Sequence, residues 1–341
     1  MTQMTNPVAS AAALALAAVC FSPSPLRADV SEFYKGRTVN VLIGFSAGGG
    51  FDTYGRLLTR HLGRHIPGQP TVVAQNMPGA GSLNTANYLY RVAPKDGTVI
   101  GTFGRTVPIT PLMTPSPFDG RAYTWIGSIT SEVSTCVVTS RAKVQSWQEV
   151  LKDPLTVGGE GKDGDLDIMA QFVKNVFSAK TKLIAGYPGS NDVGLAMLRG
   201  EVDGMCGLSF STARTRYKTE FDAGRLKVIV QATLQREEEL PQVPSLAAMA
   251  NEEQLDLMKV VFGSQMMARP FAGPPEMAQD RKSALRAAFK KTMEDPEFAA
   301  DAKRANLEIK PAFGEEIDAY LADIYAKPKS LIDKAKRAMW E

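Results

Sequence analysis

The chain is poor in cysteine and histidine and has no strongly basic segment. Its 341 residues include three cysteines and two histidines, and the net charge is only +3 at pH 7. No block of five or more Lys or Arg residues occurs, which argues against nucleic acid or an anionic membrane as a partner. A chain of this length can bury a sizeable core in two lobes without metals or disulfides.

The only candidate for a targeting segment lies at the N-terminus. Residues 8–21 form a short Ala-rich apolar run followed by two Ser-Pro pairs, which predicts a signal peptide over residues 1–28, cut after Ala28, and export to the periplasm. The region before the run lacks Lys and Arg, and Leu26 occupies a position where a small residue is usual. Lipoprotein processing at Cys20 is the alternative. No later stretch is apolar and long enough to cross a bilayer.

Export would leave Cys136 and Cys206 in the mature chain. They could pair in an oxidising compartment. Because each lies in an apolar, strand-like run of a chain that needs no covalent link, we slightly favour two buried free thiols.

Strands and helices alternate from Thr38 onward, which predicts parallel sheets with right-handed crossovers. The predicted strands cover 38–45, 70–76, 98–103, 125–140, 155–159, 182–186, 202–208, 226–233 and 258–268. Helices are expected between them and over the tail, at 274–292, 296–305 and 314–338. Long β-rich connections near 125–140 and 256–268 bracket a block that can close its own sheet. We therefore expect one lobe from residues 29–128 and 260–341, a second from 129–259, and a two-segment hinge.

Two glycine-rich turns carry the chemistry. Residues 44–52 and 76–82 each follow a strand and precede a helix, so their backbone N–H groups and the helix dipoles suit an anion, and both loops lie at the ligand-binding edge of the sheet. The first turn also contains Gly-x-Ser-x-Gly around Ser46, as in hydrolases, but no histidine follows His65 to act as a base. His61 and His65 have metal-pair spacing without an evident third ligand, so we expect no metal and no cofactor.

The chain resembles the receptors of tripartite tricarboxylate transporters, also called Bug-type receptors. The resemblance rests on FSAGGGFDTYGR (45–56), VVAQNMPGAGS (72–82) and APKDGTVIG (93–101), and continues through residues 187–204, 223–233, 240–246 and 295–298. It implies an α/β, class II periplasmic-binding-protein fold with two doubly wound lobes and C-terminal helices. The implied ligand is a small organic acid (a di- or tricarboxylate or an aromatic carboxylate), and the implied partners are the large and small membrane permease subunits.

The resemblance also implies that both glycine loops hold a ligand carboxylate, while second-lobe loops grip its other end. Arg105, after the third strand, could form a fork to a carboxylate, although an exposed loop arginine is the simpler interpretation. Asp52 is expected to cap a helix, and Glu132 either faces the cleft or is solvated. The predicted ligand-binding residues are Phe45, Ser46, Ala47, Gly49, Gly50, Asp52, Pro78, Gly79, Ala80, Gly81, Arg105, Lys162, Gly164, Asp165, Tyr187, Gly189, Ser190 and Ser209.

One segment departs from the family pattern of Gly-x-Gly-Ser followed by histidine. The matching stretch contains Gly164 in place of the serine, and Asp163, Asp165 and Asp167 lie beside it. Since acids repel a carboxylate, either Lys162 compensates or the ligand presents a cationic or hydroxyl group here.

The sequence therefore predicts a periplasmic solute receptor that is not an enzyme. A receptor for a membrane sensor kinase would use the same site, and sequence does not separate the two. A periplasmic hydrolase using Ser46 is the third and least favoured alternative.

Overall fold

The computed structural model describes residues 1–2, 30–162, 164–234 and 236–340. Residues 3–28 of the predicted signal peptide, which include Cys20, lie outside the described residues, as does Asp163. No helix among those described is long and apolar enough to span a bilayer.

Eleven strands form two mixed sheets. In the described part of the chain they are β1 (Thr38–Ile43), β2 (Thr71–Asn76), β3 (Val99–Thr102), β4 (Thr124–Ser128), β5 (Ser134–Thr139), β6 (Leu155–Gly158), β7 (Thr181–Ile184), β8 (Gly204–Ser209), β9 (Leu226–Ala232), β10 (Pro270–Gly273) and β11 (Ala312–Phe313). The first sheet has the order β11-β4-β10-β3-β1-β2 and the second β7-β6-β8-β5-β9. The β1–β2, β1–β3, β6–β7 and β6–β8 pairs are parallel.

The predicted parallel pairing is found among β1, β2 and β3 and among β6, β7 and β8, but each sheet also contains antiparallel strands. Strands β10 and β11 run antiparallel to β4, and β5 runs antiparallel to both β8 and β9. These strands lie beside the connections between the two sheets. The chain therefore runs through them in the direction opposite to that of the neighbouring parallel strands.

Helices cover both sheets. In the described residues they are α1 (Val30–Tyr34), α2 (Gly50–Leu62), α3 (Leu83–Arg91), α4 (Trp147–Val150), α5 (Asp165–Phe177), α6 (Ser190–Arg199), α7 (Phe210–Arg216), α8 (Lys218–Asp222), α9 (Leu246–Met249), α10 (Glu252–Phe262), α11 (Gln279–Met293), α12 (Pro296–Arg304), α13 (Gly314–Tyr325) and α14 (Lys329–Trp340). The strand β1 is buried on both faces toward its end, because Val41 and Ile43 on one face are inaccessible to solvent and Leu42 on the other is 4% exposed, as its unbroken apolar run requires.

Two predicted elements differ from those in the structure. The strand expected at 258–268 is instead α10 and a 3-10 turn over Gly263–Met267. Helix α10 begins at a capping box, in which Asn251 and Gln254 exchange side-chain to backbone hydrogen bonds of 2.9 Å. The single helix expected at 314–338 is divided into α13 and α14, because Pro328 cannot continue a helix.

The two connections between the sheets run side by side. The Glu132 N–H donates to the Gln265 carbonyl at 3.0 Å, and the Ala268 N–H donates to the Thr130 carbonyl at 3.1 Å. The assignment of residues 29–128 and 260–341 to one lobe and 129–259 to the other stays a prediction. Helix α14 packs against α5 and α10, so the chain end reaches the helices around the second sheet.

A disulfide joins Cys136 on β5 to Cys206 on β8. The slightly favoured prediction of free thiols was therefore wrong. The antiparallel register places the two residues directly opposite each other, with their Cα atoms 3.9 Å apart. Both residues are almost fully buried.

Candidate functional site

The two glycine loops lie where the parallel strands of the first sheet end. The first loop follows β1 and leads into α2, and the second follows β2 and leads into α3 through a short 3-10 turn. The second loop needs glycine at Gly79, whose φ of 128° is strained for other residues. Arg105 follows β3 at the same edge, so three consecutive strands direct their loops to one place.

Loops of the second sheet face these glycine loops. Ser46 Oγ donates a 2.6 Å hydrogen bond to Asp192 Oδ2 in the first turn of α6. A methyl group built on Gly161 would lie 3.1 Å from the backbone nitrogen of Gly81. The two lobes therefore touch along both glycine loops, and the cleft is closed.

Arg105 lies inside this closed cleft, with only 2% of its surface exposed. Its Nη2 donates to Ser134 Oγ of β5 at 2.5 Å, and its Nε lies 3.4 Å from Asp165 Oδ2 at the start of α5. The guanidinium of Arg105, which follows β3 of the first sheet, thus contacts both β5 of the second sheet and the start of α5. The alternative of an exposed loop arginine was wrong.

A second buried arginine was missed by the sequence analysis. Arg269 precedes β10 and is 2% exposed. Its Nη1 donates to the Ala268 carbonyl at 2.8 Å and its Nη2 to Thr212 Oγ1 at 3.2 Å, while its guanidinium lies 4.7 Å from the ring centroid of Phe51. A lone arginine in the apolar stretch around residues 266–273 was the available signal, because an unpaired charge is rare there.

Four carboxyl groups are buried in this part of the molecule. They belong to Glu132, Glu160, Asp165 and Asp167, and each residue is less than one-tenth exposed. Glu132, which the sequence left open, accepts a 3.4 Å hydrogen bond from the Ser211 N–H. Asp167 accepts a 2.9 Å hydrogen bond from the Gly161 N–H, so its carboxylate shapes the loop before α5.

Burial perturbs three of these carboxyl groups. It raises the pKa of Glu132, although Arg269, Ser211 and Arg105 act against it. Burial also raises the pKa of Glu160 well above its ordinary value, and the charges of Asp165 and Asp167 add to this. The pKa of Asp167 is raised by burial in spite of its backbone hydrogen bonds.

Some predicted site residues line two small cavities between the lobes. Gly50, Asp165, Ser190 and Ser209 border a cavity of about 20 Å³ that also touches Glu160, Thr212 and Arg269. Arg105 and Asp165 border a second cavity of about 10 Å³. These volumes admit about one water molecule each.

Other predicted residues lie at the rim or hold the loops. Gly49, Gly81 and Gly189 meet residues of the opposite lobe, while Ala47, Pro78 and Ala80 are exposed nearby. Gly164 is the N-cap of α5. Phe45 stacks on Phe51 with ring centroids 4.3 Å apart.

Asp52 was expected to cap α2, but that prediction was wrong. Gly49 is the N-cap residue of α2, and Asp52 is buried inside the first turn of the helix. It accepts hydrogen bonds from the Gly48 N–H at 2.9 Å, Arg56 Nε at 2.9 Å and Asn76 Nδ2 at 2.8 Å. Burial acts to raise its pKa, but these hydrogen bonds lower it below the ordinary value. Its carboxylate therefore ties the two glycine loops together.

The side chains of two predicted residues lie away from the cavities. The Lys162 ammonium lies 5.8 Å from the ring centroid of Trp340 on the exposed surface. The Tyr187 phenol hydrogen-bonds to Glu201. Lys162 therefore does not neutralise the acids of the cleft.

The histidines lie at the other end of α2. His61 Nε2 lies 3.1 Å from Asp301 Oδ2, and His65 Nε2 lies 2.8 Å from Asp295 Oδ2. Each imidazole thus contacts a different carboxylate at α12. Ser46 instead hydrogen-bonds to Asp192 and not to a histidine.

A larger groove lies elsewhere. It has a volume of about 830 Å³ and runs between α7–α8 and the end of α12, lined by Phe210, Arg214, Phe221, Leu240, Leu307 and Ile309 among others. Despite its size, it contains neither of the two buried arginines. The interlobe cleft is therefore the better candidate for a site that recognises a charged ligand.

Known proteins share this architecture. The family model described as "Tripartite tricarboxylate transporter family receptor" matches residues 56–336. A Cupriavidus necator protein, "UPF0065 protein in gbd 5'region", is 25% identical over 334 residues, which cover 96% of this chain and 94% of that protein.

Solved structures are similar over nearly the whole described fold. The periplasmic binding protein BugD is 20% identical, with a TM-score of 0.73 over 89% of this chain and 98% of that one. MatC from Rhodopseudomonas palustris with bound malate is 16% identical, with a TM-score of 0.69 over 87% of this chain and 99% of that one. The two-lobed α/β fold of periplasmic binding proteins is thereby confirmed, and the chain belongs to the tripartite tricarboxylate transporter receptor family.

Proposed function

We propose that this protein is an extracytoplasmic solute receptor that captures a small organic carboxylate between its lobes and presents it to the large and small subunits of a tripartite permease. The buried guanidinium groups of Arg105 and Arg269 carry this proposal. In the described part of the chain, Arg105 Nη1 and Arg269 Nε are buried without a hydrogen-bond partner. Buried N–H groups of this kind are normally satisfied, and carboxylates pair well with guanidinium.

The surroundings support the same ligand class. Backbone N–H groups of both glycine loops and the N-terminus of α2 add positive potential at the edge where Arg105 emerges. Two solved structures of the same fold, both of R. palustris proteins, are described with a carboxylate: malate in one and adipate in the other. Malate and adipate are thus reasonable first candidates.

The proposed role involves binding and lobe closure without a chemical step. The Ser46 hydroxyl donates a hydrogen bond to Asp192 across the cleft, so its role is in lobe closure. The proposal includes export through residues 1–28 and a periplasmic location, since the family is one of transporter receptors.

The test is a thermal-shift screen of the purified protein against mono-, di- and tricarboxylates and aromatic acids. A ligand that binds only the folded state raises the melting temperature by mass action. We expect one carboxylate group to raise it, and the variants Arg105→Met and Arg269→Met to lose the response. Arg199→Met is the matched control, because Arg199 is 59% exposed and pairs with Glu201 on the surface. A response that survives in both buried-arginine variants would refute the proposed site.

A further inference from the structure

We propose that the ligand carries a protonated amine as well as a carboxylate, and that Asp165 and Glu160 receive this amine. The inference rests on the proposed function and makes it more specific: the substrate class becomes small amino carboxylates. It would place the two ends of the ligand against opposite charges in one cleft.

The geometry supplies acceptors at the right place. Asp165 and Glu160 border the same cavity as Arg269. The Asp165 side chain is 8% exposed, and its Oδ1 is buried without a hydrogen-bond partner among the described residues. An unpaired buried carboxylate oxygen is unfavourable unless a donor reaches it. A ligand ammonium has three donors, whereas a plain dicarboxylate has none to offer.

The charge balance of the cleft favours the same ligand. The guanidinium groups of Arg105 and Arg269 lie near three buried carboxyl groups, those of Glu132, Glu160 and Asp165, and a fourth, that of Asp167, is buried on the same helix as Asp165. Asp167 is compensated by backbone N–H donors, but the others are not fully compensated. Burial disfavours the charged forms of Glu132 and Glu160, so a dianionic ligand would add a further negative charge where negative charge is already unfavourable, whereas an ammonium group would stabilise the carboxylates.

No lysine of the described chain takes this role. The Lys162 ammonium, the nearest candidate in sequence, lies over Trp340 at the surface. The nearest cation to Asp165 is Arg105, whose Nε lies 3.4 Å from Oδ2. Since this leaves Oδ1 unpartnered, the compensating donor is expected from the ligand.

Ligand entry requires the lobes to separate from the closed arrangement. The two cavities of about 20 and 10 Å³ hold about one water each. An amino carboxylate would therefore enter an open cleft and be enclosed by the loops that meet at Ser46 and Asp192.

Glu160 provides an independent signature of an arriving ammonium group. The ionisable groups facing it are Asp165 and Asp167 on α5, Arg269 before β10 and Tyr217 after α7. Burial and the two aspartates raise its pKa, so it tends to carry a proton. An ammonium group beside it would favour the carboxylate and release that proton, whereas an added carboxylate would favour proton uptake.

The test compares matched pairs of ligands by isothermal titration calorimetry. Each standard amino acid is paired with the acid that lacks its amine, such as aspartate with succinate, glutamate with glutarate and alanine with propionate. We expect the amine-bearing member of at least one pair to bind about tenfold tighter or better. Titrations in two buffers of different ionisation enthalpy should show proton release in wild type and none in Glu160→Gln.

The variant Asp165→Asn should reduce the preference for the amine to a few-fold. Asp153→Asn is its control, because Asp153 pairs with Lys143 on the surface at 3.2 Å. Circular dichroism checks that each variant folds; if Asp165→Asn does not, the direction of proton exchange in wild type decides.

The outcomes separate the two proposals. Equal or tighter binding of succinate or glutarate, with proton uptake, would overturn the inference and leave carboxylate capture standing. No binding of any acid with or without an amine would overturn the proposed function itself.

Discussion

The hydrogen bond between Ser46 and Asp192 joins the two lobes, and its removal should weaken ligand capture. Ser46 lies in the loop after β1 and Asp192 in the first turn of α6, and their oxygens are 2.6 Å apart. Because only closed lobes bring these residues together, the bond stabilises the closed state and contributes nothing to the open one. Ser46→Ala should therefore shift the equilibrium toward the open form.

The structure sets the expected size of this effect. A hydrogen bond to a charged group contributes about 1.5–3 kcal/mol when buried. Both side chains here are half-buried, so the lower end of the range, about 1.5 kcal/mol, is appropriate. If the ligand binds only the closed form and the unliganded protein is mostly open, the apparent Kd should rise about tenfold.

The assay is a double-mutant cycle measured by titration calorimetry with whichever carboxylate the screen identifies. Ser46→Ala, Asp192→Ala and the double variant should show a coupling energy of about 1 kcal/mol. Thr59→Ala is the control, because its hydroxyl donates within α2 to the Arg56 carbonyl at 3.0 Å. Additive effects of the two single substitutions would show that the bond does not act in the ligand-bound state.

Three further predictions follow from single contacts. Replacing Cys136 and Cys206 by alanine should lower the free energy of unfolding by about 4 kcal/mol, from the entropy of a 70-residue loop; urea denaturation measures it, and an unchanged midpoint would contradict it. Gly50→Ala should raise the Kd about tenfold or more, since the added methyl would overlap Thr212 Oγ1 of the other lobe; unaltered affinity in titration calorimetry would argue against closure on the ligand. Hydrogen bonds from His61 and Arg60 lower the pKa of Asp301 to about 2, so its contribution to stability is full above about pH 4 and is lost as the pH falls toward 2. The stability difference between wild type and Asp301→Asn in urea should therefore shrink over that interval, and a constant difference would refute it.

The positions of the loops could be predicted from sequence because they depend on local patterns. The apolar run of β1, the glycines after it and the helix that follows are contiguous, and the carboxyl ends of parallel strands must share an edge. The same local reasoning failed at residues 258–268, where an apolar segment was interpreted as a strand. The capping box at Asn251 and Gln254 was the missed signal for a helix.

Arg105 and Asp165 were predicted as site residues, but the burial of Arg269 and Glu132 was not, because it depends on contacts between distant segments. Arg269 is enclosed by Phe51 on α2 and Thr212 on α7, and Glu132 approaches Ser211 from a crossing connection. The pairing of Cys136 with Cys206 likewise depends on the β5–β8 register. Spacing along the chain contains none of this information.

The side chains that we propose to recognise the ligand also join the two lobes. Arg105 contacts Ser134 on β5 of the second sheet and Asp165 at the start of α5. The Arg269 backbone N–H donates to Ser128 Oγ at 3.0 Å, while its guanidinium contacts Thr212 of the second lobe. A ligand that pairs with either guanidinium therefore competes with, or completes, the contacts that hold the lobes together. Since removing one partner from a buried charge is more unfavourable than leaving the pair intact, the ligand that closes the cleft best should be the one that satisfies the arginines and the acids together. A carboxylate alone satisfies only the arginines, which is why the acids of the cleft, more than its glycine loops, should determine which solute is selected.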